Sequence, residues 1–201
     1  MQPLLVTGFE AFGEHDVNPS ERVVRALRAG PELVTEVLPV SYRRAEARLG
    51  ELIEGVDPRA VLLLGLHGGQ AIRLERIALN LDDAKTPDRD GEVRIGEPIS
   101  AFGPAGYAST LPLDAFAAVL RRFSLPFEWS RDAGGFLCNH AFYVACDRVA
   151  LRFAEVPCGF VHLPPLEALP IERQLAGVVA CLEILRAPVS RREAAPARAG
   201  Q

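Results

Sequence analysis

A chain of 201 residues, 49% apolar and 24% charged, holds enough material for one domain with a sizeable core. Its formal net charge of −4 argues against nucleic-acid and anionic-membrane partners, and no apolar run reaches the length that spans a bilayer. The N-terminal MQPLLVTGFEAFGE lacks the basic flank and long apolar stretch of a signal peptide, so a cytoplasmic protein is expected, and cysteines 138, 146, 158 and 181 form neither a CxxC pair nor a zinc spacing, so free thiols are expected too.

In chain order, Leu4 to Thr7 reads as a buried strand, and Asn18-Pro19 caps and begins a helix through Ala29 that turns Val23, Val24 and Leu27 inward. Leu33 to Val40 reads as a second strand, and Ser41 caps a helix with Ala45, Leu49, Leu52 and Ile53 on one side. Ala60 to Gly65 is a third apolar run, ending in the glycine-rich LHGGQ and leading to LERIALN, one further strand. Between Asp82 and Gly106 charges, prolines and glycines replace periodicity, which predicts a long functional or mobile loop. Leu113 to Phe123 then reads as a helix, Phe127 to Ser130 as a short strand, Cys138 to Phe153 as a helix, Gly159 to Leu163 as a buried strand and Pro170 to Arg186 as the closing helix. This alternation predicts a single α/β domain over residues 1–186, a three-layer sandwich whose mixed, largely parallel sheet carries helices on both faces; the Ala-, Arg- and Pro-rich 187–201 reads as a flexible tail.

Cys138 opens its helix directly after a double-glycine turn, where the positive end of the helix dipole favours thiolate. A nucleophilic cysteine needs a base. His140 lies two positions further along the same helix, roughly 200° round it, and so faces away. His15 sits in a polar loop that suits a solvated histidine, and His67 in the glycine-rich loop could line a site. His162 is the preferred base, because GFVHLPP places it at the carboxyl end of an apolar strand, where open α/β sheets assemble their sites; a satisfied core histidine is the alternative. Glu75 interrupts the apolar LERIALN, and a carboxylate there invites a partner such as an imidazole whose tautomer it would fix, the alternative being a surface pair with Arg73 or Arg76.

These residues sit in a broader pattern: VTGFEAFG, NPSE, VLPVSY, ERIALNLDDA, GPAGY, STLP, AGGFLCNH and GFVHLPP, spread over residues 4–186. In this the chain resembles the pyroglutamyl peptidases of type I, the pyrrolidone carboxyl peptidases of cysteine peptidase family C15. The resemblance implies removal of N-terminal pyroglutamate from peptides, with Cys138 as nucleophile, His162 as base, Glu75 as its orienter and a thioester acyl-enzyme on the way. It implies no cofactor and no metal, a homo-oligomer that is tetrameric in similar proteins, and Phe9 and Phe12 as the aromatic pair around the lactam. Asn18 could meet the lactam or simply cap its helix.

Three departures from the family pattern are visible. Lys85, the only lysine among 22 Lys and Arg residues, stands in DDAK where similar proteins carry an arginine thought to support the oxyanion; it keeps the charge but not the planar fork of donors. Leu66 occupies a pocket position often taken by glutamine in bacterial relatives, in a loop that reads as one residue shorter. PPLEALP follows the candidate base in place of the more usual PYLPEQ. A nucleotide binder is disfavoured by the lack of GxxxxGK and GxGxxG, a serine hydrolase by the lack of GxSxG, and a metalloenzyme by the lack of HExxH; a non-catalytic binding protein on the same scaffold remains the rival to be tested at the thiol.

Overall fold

The computed structural model describes residues 2–13, 16–152 and 156–187. The chain runs β1 (Leu4–Phe9), α1 (Pro19–Ala26), β2 (Leu33–Leu38), α2 (Tyr42–Val56), β3 (Ala60–Leu66), β4 (Ile72–Glu75), β5 (Ile77–Leu79), β6 (Asp82–Ala84), β7 (Arg94–Glu97), β8 (Gly106–Ala108), α3 (Leu113–Arg122), β9 (Phe127–Ser130), α4 (Leu137–Arg152), β10 (Cys158–Leu163) and α5 (Ile171–Arg186). Six of these strands form the main sheet in the order β2-β1-β3-β10-β4-β9, every pair parallel except β10 with β4. One face packs a core on α1, α3 and α5, and the other packs a second core on α2 and α4, which is the expected three-layer α/β arrangement. The strands β1 and β10 are buried at every position and β3 at all but its last, so both faces must be apolar and the sequence shows runs rather than alternation.

Local chemistry sets most boundaries. The Asn18 side chain accepts the Ser20 N–H at 3.0 Å with Pro19 at the first helical position, and the Ser41 hydroxyl accepts the Arg44 N–H at 3.2 Å to open α2. The helix α1 stops at Ala26 rather than Ala29, because Leu27 is already extended (φ −68°, ψ 132°) and the chain turns through a Gly30–Leu33 bridge into β2. The segment expected as a single strand at LERIALN divides at Arg76, whose N–H bonds Ser130 while its carbonyl accepts from Ser109. The chain therefore leaves the main sheet there, and β5 pairs with β8 instead.

The stretch 82–106 departs most from expectation. It carries β6 and β7 as an antiparallel pair and ends in β8. Its order comes from a buried carboxylate rather than from apolar periodicity: Asp88 accepts the backbone N–H groups of Tyr42, Asp90 and Glu92. A segment organised by side-chain-to-backbone bonds leaves no periodic signature in its sequence. Of the tail expected over 187–201, residues 188–201 lie outside the described residues, as does His15.

Candidate active site

The site is assembled by register. Side chains alternate across a strand, so Gly65 and His162, Cα partners on β3 and β10, point to the α4 face, as does Glu75, diagonal to His162 across the antiparallel β10–β4 pair. Glu75 and His162 are both buried. His162 Nδ1–H donates to Glu75 Oε1 at 2.7 Å, which gives the buried carboxylate a partner and turns Nε2 the other way. Arg73 and Arg76, the alternative partners of Glu75, are engaged elsewhere: Arg73 pairs with Glu128 and the Arg76 guanidinium lies 4.4 Å above the Trp129 ring.

Cys138 sits in the first turn of α4, behind a turn whose Gly134 has φ +84° and whose Gly135 lies so close to the Asp83 carbonyl that a Cβ would fall 2.3 Å from it. Opposite the sulfur is Gly65. A Cβ there would lie 2.9 Å from Cys138 Sγ and 2.7 Å from Phe160 Cζ, so the thiol reaches the sheet only because β3 has no side chain at this point. Phe160 also lies under the His162 ring, centroids 4.7 Å apart. Burial alone disfavours the imidazolium, but the Cys138 sulfur and the Glu75 carboxylate outweigh it, and the pKa of His162 rises from 6.5 to about 9. The first α-helical bond of α4 runs from His140 N–H to the Phe136 carbonyl, so the N–H groups of Leu137, Cys138 and Asn139 precede it at the positive end of the helix.

Beside Cys138 opens a cleft of about 190 Å³. Its aromatic wall is Phe9, Phe12 and Phe136, with Phe12 and Phe136 stacked at 5.9 Å and 28°. Leu66, His67, Gly68, Val40 and Leu137 continue the lining, and Glu10 and Asn18 supply its polar groups. Both are already committed. Glu10 accepts the Val40 N–H and pairs with Arg89 at 2.8 Å, while the Asn18 amide donates to the Glu10 carbonyl as its oxygen caps α1. Arg89 also donates to the Ala11 carbonyl, so the 88–90 turn braces the loop that carries Phe12.

Of the residues singled out in the sequence, Cys138, His162 and Glu75 thus meet, and Phe9, Phe12, Asn18 and Leu66 line the adjoining cleft. Lys85 does not join them: it is exposed, has no side-chain hydrogen bond or ion pair among the described residues, and is absent from the cleft lining. His140 points elsewhere, its Nδ1 2.9 Å from Asp82 Oδ2 and its ring edge-on to Tyr42. Cys146, Cys158 and Cys181 are buried thiols. Sequence reasoning missed Gly65, Phe136 and Glu10. A glycine inside an apolar strand is a recognised sign of close approach, and Phe136 adjoins the Cys138 block, so both carried a signal; Glu10 carried none. Among the described residues no cluster of His, Cys, Asp and Glu suits a metal ion, and no helix is long and apolar enough to cross a membrane.

Comparison with known proteins shows the family and the fold. The chain is 39% identical over 175 residues to a pyrrolidone-carboxylate peptidase of Bacillus licheniformis, covering 85% of this chain and 81% of that one. It is 37% identical over 171 residues to the corresponding Escherichia fergusonii protein, covering 83% and 79%. The crystal structure of pyrrolidone carboxyl peptidase from Pyrococcus furiosus superimposes with a TM-score of 0.86 at 31% identity, covering 92% of this chain and 98% of that one. Pyroglutamyl peptidase I of Bacillus amyloliquefaciens gives 0.85 at 31% identity, covering 90% and 95%. With the pyroglutamyl peptidase family model matching residues 2–190 as well, the chain belongs to that family of cysteine peptidases, C15.

Proposed function

We propose that this peptidase releases N-terminal pyroglutamate from peptides through a Cys138–His162–Glu75 triad and a thioester intermediate. The reading is carried by one observation: a buried imidazole whose Nδ1–H is held by a buried carboxylate, beside a sulfur lodged at the start of a helix. His162 takes the Cys138 proton, and the thiolate attacks the pyroglutamyl carbonyl. The tetrahedral oxyanion is met by first-turn N–H groups of α4, each such donor being worth about 100- to 1000-fold in rate. His162 then returns the proton to the departing amine, leaving a thioester between Cys138 and the pyroglutamyl group. Water, deprotonated by the same imidazole, hydrolyses the thioester and restores the thiol. Glu75 holds the tautomer and offsets the imidazolium charge.

The cleft chemistry favours the lactam over an open-chain residue. A lactam brings no ammonium and presents two flat faces, which suit the Phe12 and Phe136 rings. Among the described residues the one carboxylate in the lining, Glu10, is already neutralised by Arg89, so there a free α-ammonium would lose its hydration without gaining an unpaired counter-charge. We further propose a cytoplasmic homotetramer on the family resemblance, with light scattering as the check on assembly. The activity is tested by comparing pyroglutamyl and glutaminyl p-nitroanilides. Cleavage confined to the pyroglutamyl compound, abolished in Cys138→Ala and by stoichiometric iodoacetamide, is the expected result; equal cleavage of both substrates rejects the lactam cleft, and activity surviving in Cys138→Ala rejects the nucleophile.

A further inference from the structure

The cleft is lined by a histidine that the chemistry above does not use. His67 follows β3 directly, lines the cleft with Leu66 and Gly68, and lies edge-on to His162 with ring centroids 5.8 Å apart. Both of its nitrogens are engaged within its own turn. The Gly69 N–H donates to Nδ1 at 3.0 Å, which makes Nδ1 an acceptor; the proton is therefore on Nε2, which donates to the Ala71 carbonyl at 2.7 Å. The ring is folded so tightly over the turn that a Cβ at position 69 would lie 2.5 Å from His67 Cε1, and only glycine fits there. The imidazole thus does for residues 67–71 what a strand ladder does elsewhere: it satisfies two backbone groups of a segment that has no other secondary structure.

We propose that His67 is a positioning residue for the peptidase reaction: its neutral imidazole holds the 67–71 turn in place as the wall of the cleft, and its protonation releases that wall. An imidazolium carries N–H groups on both nitrogens, so a proton on Nδ1 would face the Gly69 N–H donor and break that bond. The charged groups around it act in the same sense or weakly against it: Arg73 from β4 and His162 from β10 oppose a positive charge, and Glu128 from β9 favours one. Burial is the largest influence and also favours the neutral ring, so His67 loses its proton more readily than an ordinary histidine.

The inference rests on the proposed peptidase reaction, and its test reads both kinetics and the ring itself. With a pyroglutamyl p-nitroanilide, His67→Ala is expected to raise KM about 5- to 30-fold while kcat changes less, because the lost hydrogen bonds shape the cleft for substrate and transition state alike. His67→Gln keeps a donor for the Ala71 carbonyl but cannot titrate; it should recover part of the KM loss. In the wild type KM should rise as pH falls below the ordinary histidine range, and in both variants that rise should vanish. Nitrogen NMR of the wild-type imidazole, assigned against His67→Gln, should show the Nε2–H tautomer persisting below pH ~6.5. A KM within about two-fold of wild type in His67→Ala, with an unchanged pH dependence, would overturn the proposal. So would an Nδ1–H tautomer or an unshifted titration. A wild-type protein inert toward the anilide would instead defeat the peptidase reading, and the NMR arm would still decide the fate of the turn.

Discussion

Gly65→Ala tests whether the proposed nucleophile, Cys138, depends on a side chain that is not there. The added methyl carbon would lie 2.9 Å from Cys138 Sγ, 2.7 Å from Phe160 Cζ and 3.0 Å from Phe160 Cε1. Ordinary non-bonded separations are ~3.5–4.0 Å, so sulfur and ring must together retreat by about 1 Å. Neither retreat is easy. Phe160 is fully buried and packed, its ring tilted, between Phe142 and the His162 ring, and Cys138 is fixed in the first turn of a helix buried on most sides. Overpacking of this kind costs about 1–3 kcal/mol, which for a chain of this size lowers Tm by roughly 2–12 °C. The effect on chemistry should be larger, since a displacement of about 1 Å at reacting groups costs on the order of 100-fold in rate. Steady-state kinetics on a pyroglutamyl p-nitroanilide should show the loss in kcat, and the rate of Cys138 alkylation by iodoacetamide should fall with it as the sulfur leaves His162. Wild-type kcat, alkylation rate and Tm in Gly65→Ala would refute the reasoning, because they would mean that the space beside the sulfur is not closed.

Two further substitutions probe the electrostatics. Glu75→Gln keeps an oxygen for His162 Nδ1–H but removes the charge that helps raise the imidazole to about 9; kcat should fall, and the alkaline limb of kcat/KM, set near pH 9 by the proton His162 must donate, should move toward lower pH. A pH–rate profile unchanged in position would exclude Glu75 from the control of His162. Lys85→Ala should leave kcat within about two-fold, since the ammonium is exposed and outside the cleft lining, whereas a loss near 100-fold would assign it to the oxyanion.

The layers and the candidate reacting side chains are legible in the unfolded chain. Buried parallel strands must be apolar throughout, capped helices announce their starts at Asn18 and Ser41, and residues that break a pattern, such as Glu75 amid the apolar positions of LERIALN, have few structural reasons to be there. Each of these signals is local, or travels with a family resemblance spread over most of the chain. Relations across distant segments emerged only on folding. Pairing register placed Gly65 opposite His162 and so made room for the Cys138 sulfur. Asp88 organised a stretch with no periodicity by accepting N–H groups from its own turn and from α2. Arg89 braces the Phe12 loop and Phe136 stacks on Phe12 from segments about 80 and 120 residues further along, and Lys85 stayed in solvent although its charge suited the site. Hydrogen bonds and packing between remote residues have no period and no fixed spacing, so a single sequence holds the groups that make them without stating which will meet.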